Sequence, residues 1–206
     1  MMRMAELGAV NLVGESIVAV LRARRSLLQA EGRLDPVPAA AEIAHVPLSK
    51  LTGASPPTGG LSLTCYHVGR SDSVIGRGPM GDPSQGAGIS LELSYVLACW
   101  STTTLEEQAL LSWAMLELDR YPILDQGQLL GGATWSRGES VQIVPDDSDP
   151  ERLFRLWEAL KLKHHLSALY KARVIRIGYR PVADAPPVAA SRFSFADGDP
   201  IAEPAL

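Results

Sequence analysis

Any chemistry in this chain would have to come from its few histidines and cysteines or from its paired carboxylates, and their spacing limits what each could do. Cys65 and His67 stand at i and i+2 in the run Leu61-Ser-Leu-Thr-Cys-Tyr-His-Val68. On a strand they would share a face and could offer two metal ligands. No second pair with ligand spacing completes a set, which favours a core cysteine and a strand-end histidine. His164 and His165 are adjacent, so on a helix they would diverge rather than form a metal face. Glu106/Glu107 and Asp146/Asp147 fall at expected helix starts, where capping and the helix dipole account for them. The glycines between Gly76 and Gly88 lack the Gly-Lys-Ser/Thr ending of a phosphate loop and lead into a strand. No Gly-x-Ser-x-Gly elbow occurs. The sequence therefore predicts no catalytic residue, no metal site and no cofactor.

The elements that would position these residues follow from periodicity. Val10, Val13, Ile17, Val20 and Leu27 repeat at helical spacing between Gly8 and Ala30, and Gly32 supplies a stop. A short strand is expected near Ile43 to Leu48. Residues 61–68 alternate, with Leu61, Leu63 and Cys65 toward a core and Ser62 and Thr64 away from it. Residues 89–97 alternate in the same way, and the glycine- and proline-rich stretch 69–88 between the two runs reads as a long exposed loop. The two strands should pair antiparallel. Thr104-Leu-Glu-Glu107 has capping-box spacing and opens a helix that Pro122 ends. That helix has two apolar stripes, one through Leu105, Ala109, Trp113 and Leu116, the other through Leu111, Met115 and Leu118. Apolar residues on two sides imply deep burial or a shared interface, so Trp113 and Met115 are candidate subunit contacts. A short strand follows at Val141 to Val144. Ser148-Asp-Pro-Glu151 starts a further helix with Leu153, Leu156, Trp157 and Leu160 on one face. The last strand is expected from Leu169 to Tyr179, where Ile175 and Ile177 break the alternation.

The chain has 206 residues, a net charge of -4 and two cysteines. That balance argues against a dedicated nucleic-acid binder, and the cysteines give no disulfide framework. The first residues form neither a signal peptide nor a membrane span, so the product reads as cytoplasmic. Residues 1–180 are expected to be one domain of α+β (α/β) class, a small, mostly antiparallel mixed sheet flanked by about three helices. Residues 181–206 read as a flexible, Pro- and Ala-rich acidic tail. Between Glu151 and Arg180 there are eight cations and two anions, whereas the tail sets Asp184, Asp197, Asp199 and Glu203 against Arg192. Arg173, Arg176 and Arg180, with Phe193 and Phe195 in the tail, are therefore further candidate interface residues.

Four stretches resemble the cap, or tail-terminator, family of phage-tail-like contractile injection systems. They are Leu61 to Val68, Ile89 to Trp100 with its Leu-x-Tyr-x-Leu centre, Glu107 to Leu124 ending in Tyr-Pro-Ile-Leu, and Leu153 to Leu160 followed by Leu166-Ser-Ala-Leu-Tyr170. The resemblance covers about residues 5–180, and the loop at 69–88 and the tail match no part of it. It implies a non-enzymatic α/β subunit that assembles with itself as a hexameric ring. Such a ring would terminate the inner tube and anchor the sheath, with tube and sheath proteins as partners and no nucleic acid or membrane. A tail-completion protein of another phage-like assembly is the first rival, and a small enzyme using Cys65 and His67 is the second.

Overall fold

The computed structural model describes residue 5 and residues 7–52, 57–71, 89–135, 138–147 and 149–177. The expected loop beyond residue 71 and the tail after residue 181 lie outside the described residues.

Helix α1 spans Ala9–Ala30 and ends as the sequence predicts. Gly32, at φ 67, donates to Gln29 O while Arg33 donates to Leu28 O, which is the paired closure that a left-handed glycine permits. Strand β1 (Ile43–His45) is followed by the one-turn helix α2 (Leu48–Leu51), then β2 (Leu61–Arg70) and β3 (Ile89–Cys99). Helix α3 (Thr104–Arg120) leads to β4 (Ile123–Leu124), a 3-10 turn at Gly132–Thr134 and β5 (Val141–Pro145). Helix α4 (Pro150–Ala159) and β6 (Ser167–Ile177) complete the described chain.

The strands form one sheet in the order β1-β2-β3-β6-β5-β4. Only β1 and β2 run parallel; the other pairs are antiparallel. This is the mixed, mostly antiparallel α+β sheet that the sequence predicts. Three longer helices, with α2 as a single turn, flank it.

Two cores cover its two faces. On one face α1 and α3 pack Val13, Ile17, Leu21, Leu110 and Ala114 against Leu63, Leu93, Tyr95 and Leu97. On the other, α2 and α4 pack Leu51 and Trp157 against Val96, Ala98, Trp100 and Leu169. The second core corrects the expectation that β2 has one wet face. Ser62 and Thr64 are buried as well, and Trp100 Nε1 donates to Ser62 Oγ at 2.8 Å. Alternation marks a half-buried strand only where nothing packs on its polar side. Leu27, expected in the core stripe, is exposed near the end of α1, and Leu21 and Leu28 take the inner positions.

Both helix starts sit one residue from where the sequence places them. Thr103, not Thr104, caps α3 by accepting from Glu106 N at 3.3 Å. Asp149 caps α4 by accepting from Glu151 N at 3.1 Å, with Pro150 as the first helical residue. Two register shifts also matter. Cys65 pairs with Tyr95 while His67 pairs with Ser94, leaving Tyr66 as the extra residue. Leu91 pairs with Ile175 while Glu92 pairs with Arg173, leaving Val174 extra. The second bulge explains why the alternation breaks before Ile175. Ile177 then packs on the same core as Tyr170 and Ala172.

Candidate assembly interface

The bulge at Tyr66 decides the fate of the first candidate pair. Cys65 and His67 stand opposite consecutive residues of β3, so they point to opposite faces rather than one. Cys65 packs against the α1 side, and His67 is exposed. Burial pushes the Cys65 thiol up and burial pushes Cys99 to about 11, so both stay protonated thiols near neutral pH. His164 and His165 follow α4 rather than lying on a helix. His165 sits against Trp100 and Trp157 in tilted ring contacts, with centroids 4.3 Å and 5.5 Å apart, and burial there pulls it below its usual value. Asp146 follows the end of β5 at Pro145 rather than starting a helix. It accepts from Arg152 at 2.6 Å and faces Lys171 at 3.5 Å. Among the described residues, no three His, Cys, Asp or Glu side chains gather as metal ligands.

One polar pair escaped the sequence reading. Glu15 on α1 meets His45 Nδ1 on β1 at 3.1 Å, beside a cavity of about 370 Å³ that Asn11, Pro47 and Cys65 also line. Gly14 was its visible signal, since a glycine inside a helix marks a close approach. A β-carbon there would overlap the His45 ring. The pair ties helix to strand, and its only nearby thiol is held protonated.

Helix α3 leaves apolar side chains on its outer side. Its inner side buries Leu110, Leu111, Ala114 and Leu118. Glu117 is buried too, held by Arg24 of α1 at 2.8 Å, and Arg24 also lies 5.5 Å from the Tyr121 ring centroid. This cross-helix contact fixes the rotation of α3 about its own axis. Leu105, Met115 and Leu116 are left outward at 65%, 38% and 52% exposure. Of the candidate contacts, Met115 is thus on the surface and Trp113 is packed in the main core, two residues away on the other side. Trp113 Nε1 is buried and finds no acceptor among the described residues.

Arg173 lies on the opposite face of the sheet, paired with Glu92 at 2.9 Å. Glu92 also meets Lys171 at 3.5 Å. Much of the basic stretch is therefore neutralised within the fold. The structure does not bring Arg173 and Met115 into one site. The Arg176 side chain, Arg180, Phe193 and Phe195 lie outside the described residues.

The outermost strands are short: β1 has three residues and β4 two. Strands β2, β3 and β6 run past them. Beyond Leu63 the outer side of β2 has no strand partner among the described residues, and β5 covers β6 only from Tyr170 to Arg173. A single parallel bridge from Ala5 to Ile177 lies beyond. No helix among the described residues is long and apolar enough to cross a membrane.

The family model described as Pvc16 N-terminal domain matches residues 13–191. Among solved structures, the chain is similar to the sheath/tube terminator of PVC, an extracellular contractile injection system, in its extended state. The TM-score is 0.55 and the identity 18%, over 95% of this chain and 65% of that one. It is also similar to the tube-terminating cap of the anti-feeding prophage, with a TM-score of 0.49 and 14% identity over 82% of this chain and 60% of that one. The chain thus spans less than two thirds of either. At these identities the likeness to the first is one of fold. No curated protein sequence matches the chain significantly.

Proposed function

Since the chain belongs to the Pvc16 N-terminal domain family, we propose that it is a non-enzymatic cap subunit of a contractile injection system, acting as a ring that ends the inner tube and anchors the last sheath layer. The observation that carries this reading is the family match across residues 13–191. The fold gives it a physical form.

A terminator must satisfy the open ends of tube and sheath while offering no new end for growth. The outward face of α3 supplies the self-contact. Leu105, Met115 and Leu116 stand exposed on a helix that Glu117 and Arg24 lock in place, and burying them against a neighbour would close the ring, six subunits in our reading. The end of the sheet where β2, β3 and β6 outrun their neighbours supplies the contact with the sheath. There an added strand would gain backbone hydrogen bonds from β2 or from β6 past Arg173. The basic residues Arg176 and Arg180, whose side chains lie outside the described residues, would orient an acidic partner. Assembly would take place in the cytoplasm of the producing cell.

The test is electron microscopy of particles made with and without this chain. The cap reading expects sheathed tubes of uniform length and closed ends when it is present. Without it, tubes should run over-long or lose sheath from one end. Particles of normal length with intact sheath in its absence would contradict the proposal.

A further inference from the structure

The turn that leaves α4 carries a surface that the capping role does not use. Lys161 donates to Glu158 O and Leu162 to Trp157 O, a closure that holds Lys161 in the left-handed region at φ 56. Glycine is the ordinary occupant of that position, so a lysine is held there at a conformational cost. Beside it, Phe154 is 60% exposed and stacks on the exposed His164 ring, with centroids 5.2 Å apart and planes at 30°. Lys163 is exposed next to them, and neither lysine has an ion-pair partner among the described residues. An uncovered aromatic stack with two unneutralised ammonium groups suits a partner with apolar rings followed by carboxylates.

The chain contains that pattern itself. Phe193-Ser-Phe195-Ala-Asp197-Gly-Asp199 places two rings and then two carboxylates at alternate positions. In an extended segment, alternate residues lie on one face. This stretch lies beyond the end of the family match at residue 191. We infer that residues 193–199 dock on the α4 turn of their own chain, the two phenylalanines against Phe154 and His164 and the two aspartates on Lys161 and Lys163. Chain length permits it. Strand β6 carries the chain roughly 33 Å away from α4, and the sixteen residues from Ile177 to Phe193 can span about 50 Å when extended. Docking covers an exposed ring in the free subunit and neutralises both lysines.

Hydrogen exchange on the full 206-residue protein tests this. Amides of residues 193–199 should exchange about tenfold more slowly than in a free peptide of the same sequence. Phe193→Ala/Phe195→Ala should abolish that protection, and Phe154→Ala should do the same. Lys161→Glu/Lys163→Glu should also remove it, and adding Asp197→Lys/Asp199→Lys should restore part of it. Circular dichroism checks that each variant is folded, and the tail variants keep the test valid if a change at the α4 turn is not. Exchange at the free-peptide rate in the unaltered protein would overturn the inference. So would protection that ignores these substitutions, or protection that rises with protein concentration, which would assign the surface to a neighbouring copy. None of these readouts depends on tube or sheath, so this inference and the cap reading can fail separately.

Discussion

At the scale of single residues, the fold depends on a few positions where backbone or ring geometry leaves no slack. Gly60 has φ 81 at the joint of three segments, where Leu61 N donates to Glu42 O and Trp100 N to Gly60 O. A β-carbon there would overlap the Glu42 backbone. Gly60→Ala combines left-handed strain with overpacking and should cost about 3 kcal/mol in urea unfolding. Gly132→Ala, with open space around it, should change stability by less than about 0.5 kcal/mol. His165 makes a second residue-scale prediction. Burial between two tryptophans is the main cause of its depressed pKa, opposed by the Glu107 carboxylate and reinforced by His164. The unfolded chain therefore takes up the proton first. The stability that neutral His165 contributes is complete above its ordinary value of 6.5 and is lost as pH falls below it. The urea midpoint should decline on acidification through that window, and His165→Phe should flatten the slope. An unchanged slope would show that the proton goes elsewhere.

Among the elements, what was legible in the sequence was whatever depended on local pattern. The α1 stop at Gly32, the strands from Leu61 and Ile89 and the end of α3 before Pro122 all appear where periodicity and turn chemistry place them. Features set by tertiary contact were not legible. The dry second face of β2 requires α4 and Trp100 to fold over it, and the split of Cys65 from His67 requires a bulge at Tyr66. The cap of α3 was displaced because Ser101 intervenes. Ser101 Oγ donates to Glu106 Oε2 at 2.8 Å and accepts from Thr103 N at 3.3 Å, so the reciprocal box closes through Ser101 around Thr103. Thr103→Ala should therefore destabilise the protein by about 1 kcal/mol. Thr104→Ala, inside the helix, should be near neutral. Equal losses at both positions would place the cap elsewhere.

For the molecule as a whole, the sheet divides its labour between two covered faces and one extended end. One face buries the main core under α1 and α3 and leaves Leu105, Met115 and Leu116 exposed on the outer side of α3. The other buries the aromatic core under α4 and carries the ion-paired strip around Glu92 and Asp146. Under the proposed role, subunit contact and sheath contact would fall on separate surfaces, which would let a ring form before a partner arrives. The candidate residues reflect this division only in part, because Trp113 packs in the main core beside Leu110 and Ala114 while Met115 is exposed. Native mass measurement on the purified chain tests ring formation directly. The unaltered protein should show a closed multimer of defined mass, and Met115→Glu should yield a folded monomer with unchanged circular dichroism, since a charge on that surface cannot be buried unpaired at a subunit contact. A monomeric unaltered protein at assembly concentrations, or a Met115→Glu ring of full mass, would contradict self-assembly through α3.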